Sequence, residues 1–294
     1  MTEQTHAVET AKQDDPEKAQ RKQRLMQNLA GIKHTIMVMS GKGGVGKSTV
    51  AANLALGLAR AGHRVGLLDM DLHGPSIPRI LGIKTHATGQ EDSELIAPVL
   101  YRPNLEVMSI ETMMNDRDAS VIWRGPMKIK AIKQFIADVS WGRLDFLVID
   151  APPGTGDEPL TIAQTIPGAQ ALIVTTPQEL ALADVRKSIH FCKQLNMSIL
   201  GLVENFSGQI CPHCGAAIQV FGQGGGRLTA ERYGLTFLGG IPWDSRILSG
   251  EDEGRPLELD QDETGAGPAI SSLVQKVTSA CGYAPEGEKK AAQA

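Results

Sequence analysis

The chain has 294 residues, 41% of them hydrophobic and 21% charged, which suits one sizeable α/β core or two small domains. A net charge of −4 offers no bulk positive field to nucleic acid or anionic lipid, and 4% aromatic residues are too few for a base-stacking surface. No apolar run reaches the roughly 20 residues of a membrane span, so neither nucleic acid nor membrane is an expected partner.

Residues 1–31 read as a polar tail of mixed charge leading into a short helix. The tail lacks the apolar stretch of a signal peptide, and its acids argue against an organellar transit peptide. Cytoplasmic location follows as the expectation, with Cys192, Cys211, Cys214 and Cys281 reduced. His34–Ser40 is an apolar strand, broken by Gly41–Gly46. Ser48–Ala61 follows as a helix with Val50, Leu54, Leu58 and Ala61 on one face. Val65–Asp69 and Leu105–Ile110 are short strands, with His86–Ala97 a surface insertion between them. Pro126–Val139 is a helix with proline in its first turn. Asp145–Asp150, Ala171–Thr175 and Ile199–Glu204 are nearly unbroken apolar runs, as strands buried on both faces require. Helix Glu179–Leu195 separates the last two, and Phe237–Ile241 and a helix over Ala269–Ala280 close the pattern. This alternation predicts one α/β domain over residues 32–281, with a doubly wound, mostly parallel sheet and a polar tail at 282–294.

Gly41-Lys42-Gly43-Gly44-Val45-Gly46-Lys47-Ser48-Thr49 matches the G-x-x-x-x-G-K-[ST] phosphate loop, between a strand and an amphipathic helix. Its glycines let successive N–H groups face a phosphate, and the helix adds its positive end. Lys47 neutralises β/γ-phosphate oxygens, and Ser48 offers a hydroxyl to Mg²⁺. ATP and Mg²⁺ are therefore the expected ligands. Two acidic strand ends point to the same place, because ligands of open parallel sheets sit beyond the carboxyl ends of strands. Asp150 reads as the acid that holds Mg²⁺ through water, and Asp69 as support for that shell. Asp71 is the candidate to orient the attacking water. Gly154 and Gly156 offer backbone amides to the γ-phosphate. Asn205 is either an adenine reader or a turn asparagine.

The loop's early lysine is not needed by an ordinary phosphate loop. K-G-G-V-G-K-S resembles the deviant Walker A loop of the MinD/ParA/ArsA-like ATPases, which include the nitrogenase iron protein. That resemblance implies a face-to-face homodimer in which Lys42 reaches the partner's phosphates. It also favours adenine for Asn205 and the water-orienting role for Asp71.

Cys211-Pro212-His213-Cys214-Gly215 lies in the stretch 208–227, which departs from the alternation. One C-x-x-C supplies two thiolates, whereas zinc or a [4Fe–4S] cluster generally takes four. A two-fold axis between subunits completes the set. Spacing leaves iron–sulfur, zinc and dithiol redox chemistry open, and His213 is a third ligand or a turn residue. Cys192 falls in a helical pattern as an apolar thiol, Cys281 is incidental, and Gly224–Gly226 reads as a flexible joint.

Further motifs occur in order: Asp69–Ser76, Trp123-Arg124-Gly125-Pro126-Met127, Asp150–Asp157, Thr176-Pro177-Gln178, Glu204–Ser207 with the cysteine pair, Phe221–Gly226 and Ile241-Pro242. Together with the loop they make the chain resemble the Mrp/ApbC family of iron–sulfur carrier ATPases, over about Lys33 to Leu259. The resemblance implies a [4Fe–4S] cluster held by Cys211 and Cys214 of two subunits and passed to apo-proteins, with ATP hydrolysis coupled. It names no donor. The N-terminal cysteines of eukaryotic relatives and the small N-terminal domain of many bacterial ones have no counterpart here. The competing expectations are a MinD/ParA-type positioning ATPase and a zinc-bridged scaffold.

Overall fold

Apolar strands with no polar face need cover on both sides, and the chain provides it with two layers of helices. A computed structural model describes residues 16–89, 95–114, 125–210, 216–219, 221–257 and 265–283. In chain order these form α1 (Pro16–Ala30), β1 (Ile32–Ser40), α2 (Lys47–Arg60), β2 (Val65–Asp69) and α3 (Ile77–Ile80). Next come β3 (Thr88–Gly89), β4 (Ile96–Ala97), β5 (Val99–Arg102), β6 (Leu105–Ser109), α4 (Gly125–Asp138) and β7 (Leu144–Asp150). The remainder are α5 (Asp157–Thr165), β8 (Gln170–Thr175), α6 (Glu179–Gln194), β9 (Ile199–Ile210), β10 (Ala217–Ile218), α7 (Gly225–Tyr233), β11 (Phe237–Trp243), α8 (Ser245–Asp252) and α9 (Ala266–Ala280).

The main sheet runs β10-β9-β8-β1-β7-β2-β6-β5, with β11 also paired to β9. Its central pairs are parallel, and β5 and β10 add antiparallel edges. This is the large, mostly parallel α/β sheet expected. Alternate residues of each strand enter different cores, as the period of two demands. Ile36, Val38, Phe146, Val148, Leu172 and Val174 join the cluster that contains residues of α2 and α9. Met37, Met39, Leu147, Ile149, Ala171 and Ile173 join the cluster under α4, α5 and α6. Cys192 is buried in the second cluster with its Sγ 3.9 Å from Met39 Sδ, and burial pushes the thiol up to about 11. That is the apolar thiol read from the sequence. Cys281 is half-buried and packs against the first cluster.

Several boundaries differ from the sequence reading. The short helix expected at the end of the tail is α1, which is 15 residues long and docked on the domain. Asn28 Nδ2 donates to the carbonyls of Ala137 and Val139 at 2.7 and 3.0 Å, while Leu25 and Leu29 pack on the second cluster. Residues 86–97 contain the paired strands β3 and β4, with 90–94 outside the described residues. β9 continues six residues past Glu204. Gly224–Gly226 is no loose joint, because α7 starts at Gly225 with Gly224 as its left-handed cap. Tyr283, assigned to the tail, packs its ring 5.4 Å from Phe146 and 4.5 Å from His63. α8 was not foreseen. It is seated by Asp244, whose side chain accepts the Arg246 N–H at its start.

α8 lies against α3 through a backbone contact. Gly82 has φ +64, and a methyl group there would strike the carbonyl oxygen of Gly254. Backbone cannot yield as a flexible side chain can, and the left-handed conformation penalises any Cβ. Gly82→Ala is expected to cost about 1–3 kcal/mol, read as a lower urea midpoint with unchanged slope.

Candidate functional site

The carboxyl ends of β1, β7 and β2 stand side by side: Val38 is in register with Asp150, and Asp150 with Asp69. The chain leaves β1 through the glycine loop and enters α2 at Gly46, whose φ of 75° and ψ of 31° are left-handed. No side chain caps α2. Its first-turn N–H groups, which have no partner within the helix, are free to meet an anion. A Cβ on Gly46 would collide with the Asn205 amide, so glycine is required there. The resulting cavity, about 380 Å³, is lined by Gly43, Gly44, Gly46, Lys47, Ser48, Thr49 and Asp71 among others. Gly41, Lys42 and Val45 do not line it.

Lys47 Nζ sits 2.5 Å from Asp150 Oδ1 and 3.3 Å from Ser48 Oγ. The two side chains are 7% and 0% exposed. Burial raises Asp150 above the ordinary carboxylate range, against the pull of Lys47. Asp150 Oδ2 is buried with no hydrogen-bond partner. An orphan carboxylate oxygen beside a serine hydroxyl is a donor set that suits a hydrated divalent cation.

Asp69 does not fit that shell as expected. Its oxygens receive the N–H groups of Asp71, Ser76 and Ile77 and the Ser109 hydroxyl, at 3.0–3.3 Å. The buried carboxyl organises the turn into α3, and burial followed by the Asp150 charge pushes it up to about 7. Asp71 reaches the cavity, with its Oδ1 accepting from His73 and Gly74 N–H at 3.2 and 3.1 Å. Gly154, φ +86, donates its N–H to Ser40 O at 2.9 Å. Its amide is thus committed to the strand before the loop, not held out to a phosphate. Asn205 is 2% exposed and donates Nδ2 to Val45 O at 3.0 Å. Cys211, His213 and Cys214, like Trp123 and Arg124, lie outside the described residues. The strands bracketing the cysteines are described: Gln209 and Ile210 pair antiparallel with Ile218 and Ala217. The pair is therefore carried on the connection of a short ribbon that prolongs β9.

A family model described as ParA, the NUBPL iron-transfer P-loop NTPases, matches residues 31–278. The chain belongs to this family. The cytosolic Fe-S cluster assembly factor NUBP2 of Bos taurus is 44% identical over 256 residues, covering 86% of this chain and 94% of that protein. An iron-sulfur cluster carrier protein of Methanocaldococcus jannaschii is 47% identical over 242 residues, 82% and 83% of the two chains. Among solved structures, a nucleotide-binding protein of Archaeoglobus fulgidus in complex with ADP is 41% identical, with TM-score 0.70 over 80% of this chain and 91% of that one. The MinD cell division protein of Aquifex aeolicus, 21% identical with TM-score 0.57 over 84% and 97% of the chains, shares the fold.

In this iron-transfer NTPase three site residues escaped the sequence reading. Arg79 lines the cavity from α3 and pairs with Glu111 at 3.3 Å. Glu251 lines it from α8. Glu204 is fully buried midway along β9, and its carboxylate accepts from Ser207 Oγ, Gly224 N and Gly226 N at 2.6, 2.9 and 2.6 Å. It thereby caps α7 and ties together the chain on either side of the cysteine ribbon. Glu204-Asn205 was visible in the sequence, but no local pattern announced a carboxylate reaching 20 residues ahead. Phe206 next to it has φ +56, costly for a side-chain-bearing residue by about 1–2 kcal/mol, and its ring lies 6.0 Å from that of Phe221.

Glu204→Ala strips the buried Gly226 N–H and the half-buried Gly224 N–H of their acceptor. A loss of about 1–3 kcal/mol is expected, with faster hydrogen exchange at Gly226 while the amides of β7 keep their protection.

Proposed function

We propose that this chain is an ATP-hydrolysing iron–sulfur cluster carrier of the cytoplasm. Two copies face each other, and Cys211 and Cys214 of each hold one [4Fe–4S] cluster that is passed to apo-proteins. The observation that carries this reading is one strand serving both ends. β9 lies against the phosphate loop at Asn205 and leads into the cysteine ribbon at Ile210. At about 3.3 Å per residue, those five steps span at most ~17 Å. The names of the bovine and archaeal relatives support the cargo, and the ADP-bound relative supports the nucleotide.

In the catalytic reading, the glycine loop and the α2 N-terminus hold the phosphates, and Lys47 leaves Asp150 to neutralise the β/γ oxygens. Ser48 and Asp150 hold Mg²⁺, which supplies charge neutralisation when bound. Asp71 orients the water. Lys42, whose side chain lies outside its own subunit's cavity lining, acts on the partner's phosphates, and Asn205 exchanges Val45 for the adenine edge.

Anaerobic reconstitution with iron and sulfide should give about four irons per dimer, and replacing Cys211 and Cys214 with Ala should abolish retention. Stoichiometric zinc without sulfide in anaerobically purified protein would instead establish a zinc-bridged scaffold. Lys47→Ala should remove Mg·ATP binding. Lys42→Ala should keep most binding but lose hydrolysis, and a fully active Lys42 variant would exclude the role across the dimer.

A further inference from the structure

Glu251 is a half-buried acid in the wall of the phosphate cavity, and no step of the reading above uses it. It stands in the last turn of α8, where Thr49 Oγ1 of the phosphate loop donates to its Oε2 at 2.9 Å. Its other oxygen, Oε1, is buried and has no hydrogen-bond partner. Thr49 belongs to the first turn of α2, the anion-binding end, so a nucleotide phosphate seated there meets Glu251 at close quarters. An ionised carboxylate can only accept hydrogen bonds and would repel that phosphate. A neutral carboxyl keeps the Thr49 contact on one oxygen and has a proton to donate from the other.

The surroundings favour the neutral form. α8 carries Glu251 and Asp252 side by side at its C-terminal end with no basic residue in that turn, where the helix dipole is already negative. The other charged groups lining the cavity are Lys47 on α2, Arg79 on α3 and Asp71 in the turn before it. Lys47 is held by Asp150 and Arg79 by Glu111. Glu253 and Arg255, just beyond α8, pair with each other at the surface.

We propose that Glu251 receives the nucleotide as a neutral carboxylic acid, so that each nucleoside diphosphate bound at this loop takes up a proton from solvent at that side chain. The proposal rests on the nucleotide site argued above and adds a positioning residue to it. Burial, aided by the Asp252 charge and opposed by the Thr49 hydrogen bond, already pushes the acid up to about 7. An anionic ligand raises it further. Because the bound state has the higher pKa, the contribution to affinity is complete below pH 7 and is lost as pH rises above it.

The test is calorimetric titration of the full-length protein with Mg·ADP, in buffers of contrasting ionisation enthalpy, for wild type and Glu251→Gln. The terminal phosphate of ADP and the Asp69–Asp150 pair titrate in both proteins and cancel in the comparison. From pH 6 to pH 8 the wild-type affinity should fall about tenfold more than that of E251Q, and at pH 8 the wild type should take up about one more proton per ADP. Equal proton counts and equal pH slopes overturn the proposal while leaving the nucleotide site standing. No ADP binding to the wild type at any pH overturns both. Should E251Q fail to fold, the carboxyl ¹³C shift of Glu251 in ADP-saturated wild type decides instead. A neutral-acid shift at pH 8 supports the proposal, and an ionised one overturns it.

Discussion

The buried pair of Lys47 and Asp150 organises this end of the molecule. An ammonium and a carboxylate removed from water cost several kcal/mol each, and only close contact offsets that cost. The contact requires β1 and β7 to be neighbours in register and α2 to begin immediately after the glycine loop, so that Lys47 points back over the strand ends. Removing either partner would strand a charge in a low-dielectric wall. The pair also leaves Asp150 Oδ2 orphaned, a site of unspent acceptor capacity beside Ser48.

A second constraint is the alignment of β2 with β7. It brings Asp69 next to Asp150, and two carboxylates cannot both be ionised there without compensation. Asp69 is compensated by donors from the turn into α3, and Asp150 by Lys47. The acid that looks equivalent in the sequence is thus spent on shaping the α3 turn. That turn sets Asp71 and Arg79 along the cavity, and α8 closes over it through the Gly82–Gly254 backbone contact.

β9 joins the two chemistries. Asn205 grips the phosphate loop, Glu204 grips the start of α7, and Phe206, the next residue, turns left-handed with its ring against Phe221. A change at Val45 or Gly46 has a short covalent and hydrogen-bonded route to both flanks of the cysteine ribbon.

The phosphate loop, the apolar strands and the α/β class were legible because their causes are local. Glycine spacing, strand runs with no polar face and a helix of period 3.6 each act within about ten residues. Ligands of open parallel sheets sit beyond the carboxyl ends of the strands, so the convergence of Lys47, Asp71 and Asp150 could be expected as well, whereas the order β9-β8-β1-β7-β2-β6 came only with the structure. Glu204, Glu251 and Arg79 were not legible. Each reaches a partner 20 to 202 positions away, and its role depends on which oxygen is buried and which donor arrives. The sequence by itself determined the family, the nucleotide loop and the sheet, since these are written in spacing and periodicity. Only the tertiary structure decided which acids are paired, which are saturated and which are left waiting, because hydrogen-bond saturation and burial are properties of the assembled chain.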